Sequence, residues 1–417
     1  MHFHGTSGDD NFTGTSGNDV FFMAQGGDDA VGGGGGNDVF KFGATFGAGD
    51  SVDGGSGRDT LQLDGDYSTQ LIVSSAMLKN VEQISLAAGN IYDLGISDGV
   101  IADGTSLTVN ATQLGVDDIV YVNGTFMTNA SAGTTLIVDS ASSLTYFDAG
   151  PGTNILHGGI GNDFVYFFAG RTFDSSDRLD AGSGTNNNLY LAGDYSSGLT
   201  ITATMMKNFQ FVHLADGDSY KLTLSDANVA AGQSLAIDGA DLGAGDTLNF
   251  NGRHETDGSY VIDGGAGADI IVGGSAGNTI AGGLGQDKIA AGTGADTFLY
   301  ASAAESTGIT RDIVTGFDAL QDRFQVPTSV GGIDATIATG LLRQAHFDVD
   351  LAAAADTAHL AAGHAVLFTP DSGNLAGDTF LIVDVNGTAG YQAGADLVIQ
   401  LESATHLDSL TTGDFIT

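Results

Sequence analysis

Asp269, Asn278, Asp287 and Asp296 stand at nine-residue steps, and each is followed two residues later by a large apolar side chain, Ile271, Ile280, Ile289 or Phe298. Glycines precede them, so the unit reads Gly-Gly-x-Gly-x-Asp-x-U-x, with U apolar. Side-chain oxygens carried at fixed intervals on glycine turns suit coordination of a hard divalent cation. Ca²⁺ takes about six to eight such oxygens.

The same unit opens the chain, where the sixth position is filled by Asp10, Asp19, Asp28, Asp38, Asp50 and Asp59 and the U position by Phe12, Phe21, Ala30, Phe40, Val52 and Leu61. A weaker block between Gly150 and Leu189 places Asn154, Asp163, Asp177 and Asn186 there, and its missing carboxylates predict weaker metal binding. The expected ligands are Asp10, Asp19, Asp28, Asp38, Asp50, Asp59, Asp163, Asp177, Asp269, Asn278, Asp287 and Asp296. Carbonyl oxygens of Gly8, Gly17, Gly35, Gly57, Gly161, Gly267, Gly285 and Gly294 would join them, for several Ca²⁺ ions in all.

To position these oxygens the chain must turn at the glycines, which accept positive φ, and then run as a three-residue strand whose U side chain points inward. Stacked turns make an apolar column between two oxygen-lined edges. One turn alone buries almost nothing, so folding is expected to depend on neighbours and on metal. The fold class is therefore all-β: parallel β-roll or β-solenoid blocks alternating with β-rich spacer modules, ending in a β cap.

The spacers are duplicated. Residues 50 to 124 and 177 to 252 align at an offset of 127 to 128, with short alternating runs such as Leu71-Ile72-Val73 that read as strands between turns. The expected division is a first block over 1–63, a spacer over 64–145, the second block over 146–191, a second spacer over 192–260, the third block over 261–300 and a C-terminal cap over 301–417. An Ala-rich run from Leu351 to His364 is the best candidate for a helix.

Charge points the same way. The formal net charge is −39, with 12 Lys and Arg against 51 acids, of which only Glu82, Glu255, Glu305 and Glu402 are glutamates. Such self-repulsion opposes compaction unless cations bind, and it excludes nucleic acid and anionic membrane surfaces as partners. No stretch reaches membrane-spanning length, and Met1 to Gly5 has neither the basic region nor the apolar run of a cleavable leader. There is no cysteine.

With these motifs the chain resembles the repeats-in-toxin calcium-binding proteins, and the part after Phe298 is similar to the region following the rolls in serralysin-type secreted proteases. The resemblance implies export by the type I secretion apparatus, with an uncleaved C-terminal signal near Asp414-Phe415-Ile416-Thr417, and folding outside the cell when calcium is met. It also marks Asp312, Asp318 and Asp322 as a further calcium site, or else as solvated acids. The loop from Asp384 to Asp396 carries oxygens at alternate positions but lacks the terminal Glu of an EF-type loop, and reads as a hairpin turn.

Catalytic motifs are missing. A protease of the resembling family would carry His-Glu-x-x-His, which is absent, and His359 and His364 are spaced five apart, which does not place them as helix neighbours. Gly55-Ser56-Gly57 and Gly182-Ser183-Gly184 lie inside nonapeptides rather than at a strand-to-helix elbow. The expectation is a non-enzymatic, extracellular or cell-surface structural protein that self-associates on Ca²⁺. The alternatives are a secreted adhesin or glycan-binding module, for which Tyr67 and Tyr195 are the matched aromatic candidates, and an uncharacterised secreted hydrolase.

Overall fold

Strands of three residues such as Val20–Phe22 and Ile270–Val272 bury only their middle side chain. A strand this short has no stability of its own and persists because it pairs on both sides. In the computed structural model, which describes residues 1–128, 133–168 and 170–417, nearly all pairings are parallel. The chain divides into two compact units, Met1–Gly193 with Thr202–Phe211, and Asp194–Ile201 with Val212–Thr417.

In the first unit one sheet begins at His2–His4 and Val20–Phe22, continues through Val39–Phe42, Thr60–Leu63 and Gln83–Leu86, and ends at Arg178–Asp180 and Met206–Lys207. Its register stacks like on like: Phe3 on Phe21, Phe21 on Phe40, Phe40 on Leu61, and Leu61 on Ile84. The column then runs through Val109, Val138, Leu156 and Leu179 to Met206. The spacer strands are thus further coils of the same solenoid, since Gln83–Leu86 pairs directly with the nonapeptide strand Thr60–Leu63. Phe3, Phe21 and Phe40 stack with ring centroids 4.6 and 4.9 Å apart, which adds to their area burial.

The second unit repeats the plan. Leu222, Phe250, Ile271, Ile289, Val314 and Leu401 form one column, and Ile237, Ile262, Ile280, Phe298, Phe324 and Phe415 face it from the opposite sheet. Parallel stacking stops where Leu397–Glu402, Thr379–Val383 and Ala365–Phe368 pair antiparallel and cover the edge.

The one α-helix among the described residues is Phe347–Ala354, which corrects the expected Leu351 to His364. It starts earlier because Asp348 and Asp350 suit a helix N-terminus and Asp350 is held by Arg343 at 2.7 Å. It stops early because Asp356 accepts the N–H of Ala358 and the main chain turns there instead. Leu351 and Phe347 pack in the cap core with Leu360, Val366, Phe380 and Val398.

Candidate metal centre

At each nonapeptide edge the sixth residue performs a structural task before any metal is considered. Its side-chain oxygen accepts the backbone N–H of the sixth residue one coil earlier. Asp19 donates to Asp38 at 2.8 Å and Asp38 to Asp59 at 2.7 Å, while Asp10 donates to Asp29 at 3.0 Å and Asp29 to Asp50 at 2.9 Å. In the weaker block Asn154 donates to Asp177 and Asp163 to Asn187, each at 2.9 Å. In the second unit Asp269 donates to Asp287 and Asp287 to Asp312, and alongside them Asn278 donates to Asp296 and Asp296 to Asp322. These bonds form ladders along both edges of each block.

Only one oxygen of each ladder carboxylate is used this way, and at Asp163 neither is; the fate of the free oxygen divides the turns into two kinds. Where Thr follows the first glycine, the threonine takes it: Thr6 donates N–H and Oγ1 to Asp10 Oδ2 at 2.5 and 3.1 Å, and Thr15 does the same to Asp19 at 2.6 and 2.9 Å. The turns at Asp50, Asp177 and Asp322 satisfy it with the N–H of Gly47, Asp174 and Asp318. In seven further turns it is buried with no partner, as Oδ2 of Asp38, Asp59, Asp163, Asp269, Asp287, Asp296 and Asp312. Five of these seven turns open with Gly-Gly: Gly33-Gly34, Gly54-Gly55, Gly158-Gly159, Gly264-Gly265 and Gly282-Gly283.

A buried anionic oxygen without a donor is costly. Burial accordingly raises the carboxyls of Asp163 and Asp269 to about 7 and those of Asp59, Asp177 and Asp296 to about 6, with neighbouring aspartates adding to the shift at Asp59, Asp269 and Asp296. Asp287 and Asp312 are pushed up for the same reason, with Asp269 adding to the shift at Asp287 and Asp287 adding to that at Asp312. A cation beside these oxygens removes the cost.

The glycines make room for one. A methyl group on Gly33 would lie 2.2 Å from Asp38 Oδ2 and 2.5 Å from the Gly54 carbonyl oxygen. On Gly264 it would lie 2.5 Å from Asp269 Oδ2 and 2.6 Å from the Gly282 carbonyl oxygen. The orphaned carboxylate oxygen and a carbonyl of the next coil thus face the same bare Cα. An oxygen-only donor set of this kind fits Ca²⁺. Gly34 and Gly283, at φ +92° and +86°, need their left-handed backbone as well as the space.

Four sequence expectations shift by one residue. Asp29, not Asp28, stands in the ladder; Asp28 is outside it and donates its N–H to Asp9. The inward apolar residue there is Val31, not Ala30. Asn187, not Asn186, faces Asp163. Gly36 rather than Gly35 matches Gly17 and Gly57, since a Cβ on Gly36 would meet Gly17 C at 2.6 Å and one on Gly57 would meet Gly36 O at 1.8 Å. Gly8, Gly161, Gly267, Gly285 and Gly294 sit two residues before their ladder residues as expected.

Of the three cap acids the structure brings two into the ladders, Asp312 and Asp322. Asp318 stays outside, accepting from Leu320 N–H at 3.0 Å and lying 2.7 Å from His406 Nδ1. In the Asp384 to Asp396 loop all four carboxylate oxygens are taken by the chain: Asp384 accepts the N–H groups of Asn386, Gly387 and Gly363, and Asp396 accepts from Asn386 Nδ2 and Gln392 N–H. That is a turn held by its own side chains.

Sequence reading missed the residues that end two of the ladders. Glu82 accepts the N–H of Asp59 and Gln210 that of Asn187, both at 2.8 Å. They occupy matched positions of the duplicated spacers, and this identity of place was the available signal. Histidines do not gather: His157, His213, His359, His364 and His406 each lie against a separate aspartate. Tyr67 and Tyr195 are buried, stacked on Tyr92 and Tyr220. Among the described residues no helix is long and apolar enough to cross a membrane.

Residues 4–40, 146–167 and 261–298 match the model of the RTX calcium-binding nonapeptide repeat (4 copies). No curated protein matches the chain. The matched element is a calcium-binding structural repeat, not a catalytic domain, and each of its three stretches contains ladder residues, among them Asp38, Asp163 and Asp287.

Proposed function

We propose that this chain is an extracellular structural protein that folds on Ca²⁺ and self-assembles into a surface layer, filament or matrix after export by type I secretion. The observation that carries the reading is the row of buried, partnerless Oδ2 atoms on Asp38, Asp59, Asp163, Asp269, Asp287, Asp296 and Asp312. These seven are the proposed ligands, with carbonyls of the glycine turns, while the Thr-closed turns at Asp10 and Asp19 are proposed to contribute less. A fold whose edges carry so much uncompensated charge is weak where calcium is scarce and gains stability on reaching a calcium-rich exterior. That suits passage through a secretion channel unfolded. Assembly is supported by the stacking rule itself, strand on strand and carboxylate on N–H, which can operate between chains as it does within one.

The test is a Ca²⁺ titration of the purified chain followed by circular dichroism and light scattering, with EGTA reversal and a Mg²⁺ control. β-Structure and large particles that both require Ca²⁺ support the proposal. Folding without Ca²⁺ overturns it, and a folded monomer at saturating Ca²⁺ removes the assembly part.

A second reading, glycan binding by an adhesin, has its own support. On the outer face of the first unit Tyr121 stacks on Tyr146 at 4.4 Å and Tyr146 on Phe164 at 5.0 Å, while Tyr166 stacks on Tyr190 at 4.5 Å. Asp93 and Asp148 stand beside these rings in register. Flat aromatic surface flanked by carboxylates suits a sugar face. Glycan-array binding lost in Tyr121→Ala and Tyr146→Ala would favour this reading over assembly.

A further inference from the structure

Outside every nonapeptide, in the second unit, one carboxylate oxygen from each of Asp226, Glu255 and Asp257 lies within 4.8 Å of the other two. Acids crowd often enough without an ion, and it is Glu255 that sets this cluster apart. Its side chain is wholly buried. Oε1 accepts three N–H groups, from Thr256 at 3.1 Å, Asp257 at 3.2 Å and Gly258 at 2.7 Å, whereas Oε2 is sealed from solvent and accepts nothing. The Tyr260 hydroxyl is likewise buried without a partner, and lies near enough to Glu255 and Asp226 for both carboxylates to raise its pKa beyond the effect of burial.

The duplicated spacer in the first unit shows what the scaffold itself requires. There Met127 takes the place of Glu255, buried in the same turn, with its N–H on the Gly124 carbonyl at 3.1 Å as that of Glu255 is on Gly252 at 2.9 Å. The clamp beside it is kept too: Thr128 Oγ1 donates to Asp98 at 2.6 Å and Thr256 Oγ1 to Asp226 at 2.7 Å. The position of Asp257 is held by Asn129, which lies outside the described residues. The turn therefore closes around an apolar side chain in one copy. The buried carboxylate of the other copy is a departure that the fold does not need, and one that burial penalises unless a positive charge sits against it.

We propose that Asp226, Glu255 and Asp257 form a calcium site of their own, distinct from the nonapeptide turns and present in only one of the two spacer copies. The donors are all oxygen and two of the three acids are exposed, which gives a hard cation an entry path. The site does not rest on the nonapeptide ligands proposed above.

Native mass spectrometry of the full chain at graded Ca²⁺ counts the ions directly. Glu255→Gln keeps the acceptor for the three N–H groups and removes the charge, and Asp257→Asn removes the charge of an exposed residue. Each variant is expected to saturate with one ion fewer than wild type while its circular dichroism in Ca²⁺ is unchanged. Asp287→Asn, in a nonapeptide, serves as the comparison: combined with Glu255→Gln, its loss should add to the first. Equal ion counts and affinities in wild type and Asp257→Asn would overturn the site, whatever the nonapeptides do.

Discussion

Asp287 accepts the backbone N–H of Asp269 at 2.7 Å through Oδ1, while its Oδ2, equally buried, accepts nothing. One carboxylate thus does two separable things, and substitutions can separate them. Asp287→Asn keeps an acceptor for Asp269 and removes the buried charge, as Asn278 already does one strand away. It should weaken Ca²⁺ binding yet leave the metal-free protein at least as stable as wild type. Asp287→Ala also strands the Asp269 N–H and should cost about 1–3 kcal/mol with or without calcium. Thermal unfolding in EDTA and in Ca²⁺ checks both, and an Asn variant as unstable in EDTA as the Ala variant would refute the division of labour.

The glycine facing the orphaned oxygen gives a second test. Gly264→Ala places a methyl 2.5 Å from Asp269 Oδ2 and 2.6 Å from the Gly282 carbonyl oxygen, whereas Gly245→Ala, nineteen residues upstream, meets nothing within 4 Å. Gly264→Ala should lower Ca²⁺ affinity at least tenfold in calorimetric titration, and Gly245→Ala should leave it unchanged. Equal affinities for the two would mean that the cradle is not where the ion sits.

Where the sequence was explicit, and where it was not, follows from these turns. A nonapeptide is phased by its single aspartate and its glycine pair, so the third block could be read in register. Phase slips where neighbours are alike: Asp28 beside Asp29, Asn186 beside Asn187, and the run from Gly32 to Gly36 each offer two frames. Burial decides between them, because only one of two adjacent residues can face inward on a strand edge. The N–H to carboxylate ladders were invisible for a different reason, since their partners lie a whole coil apart. The spacers read as strands that could carry the stack onward or fold as a separate sandwich, because their turns lack the glycine signature; the U column, Leu61 on Ile84, decides for further coils.

Stability should depend on pH with opposite sign in the presence and absence of calcium. The carboxyls of Asp163 and Asp269 rise to about 7 and those of Asp59 and Asp296 to about 6 in the fold, from 3.8 when unfolded. A raised carboxyl pKa contributes stability that is complete below the unfolded value and is lost as pH climbs through the folded one. Metal-free protein should therefore melt at higher temperature at pH 5 than at pH 8. In saturating Ca²⁺ the trend should reverse, because protons displace the ion below about pH 7. General relief of the −39 net charge acts in the same direction as the first effect, so Asp269→Asn is the discriminating variant. It should flatten the EDTA profile, and an unaltered slope would assign the effect to net charge alone.

The ladders need an end, and the two that pass into spacers finish on a side chain one methylene longer. Glu82 reaches the N–H of Asp59, and Gln210 that of Asn187, in coils where the strand has stepped away from nonapeptide spacing. Since one is charged and the other neutral, the shared role is that of acceptor and not of metal ligand. Glu82→Gln should then be close to neutral in thermal unfolding, while Glu82→Ala and Gln210→Ala each leave a backbone N–H unpaired and should cost about 1–3 kcal/mol. The losses should be alike in EDTA and in Ca²⁺. If Glu82→Gln instead lost stability only when calcium is present, Glu82 would be a ligand and the ladder at Asp59 would end in a metal site.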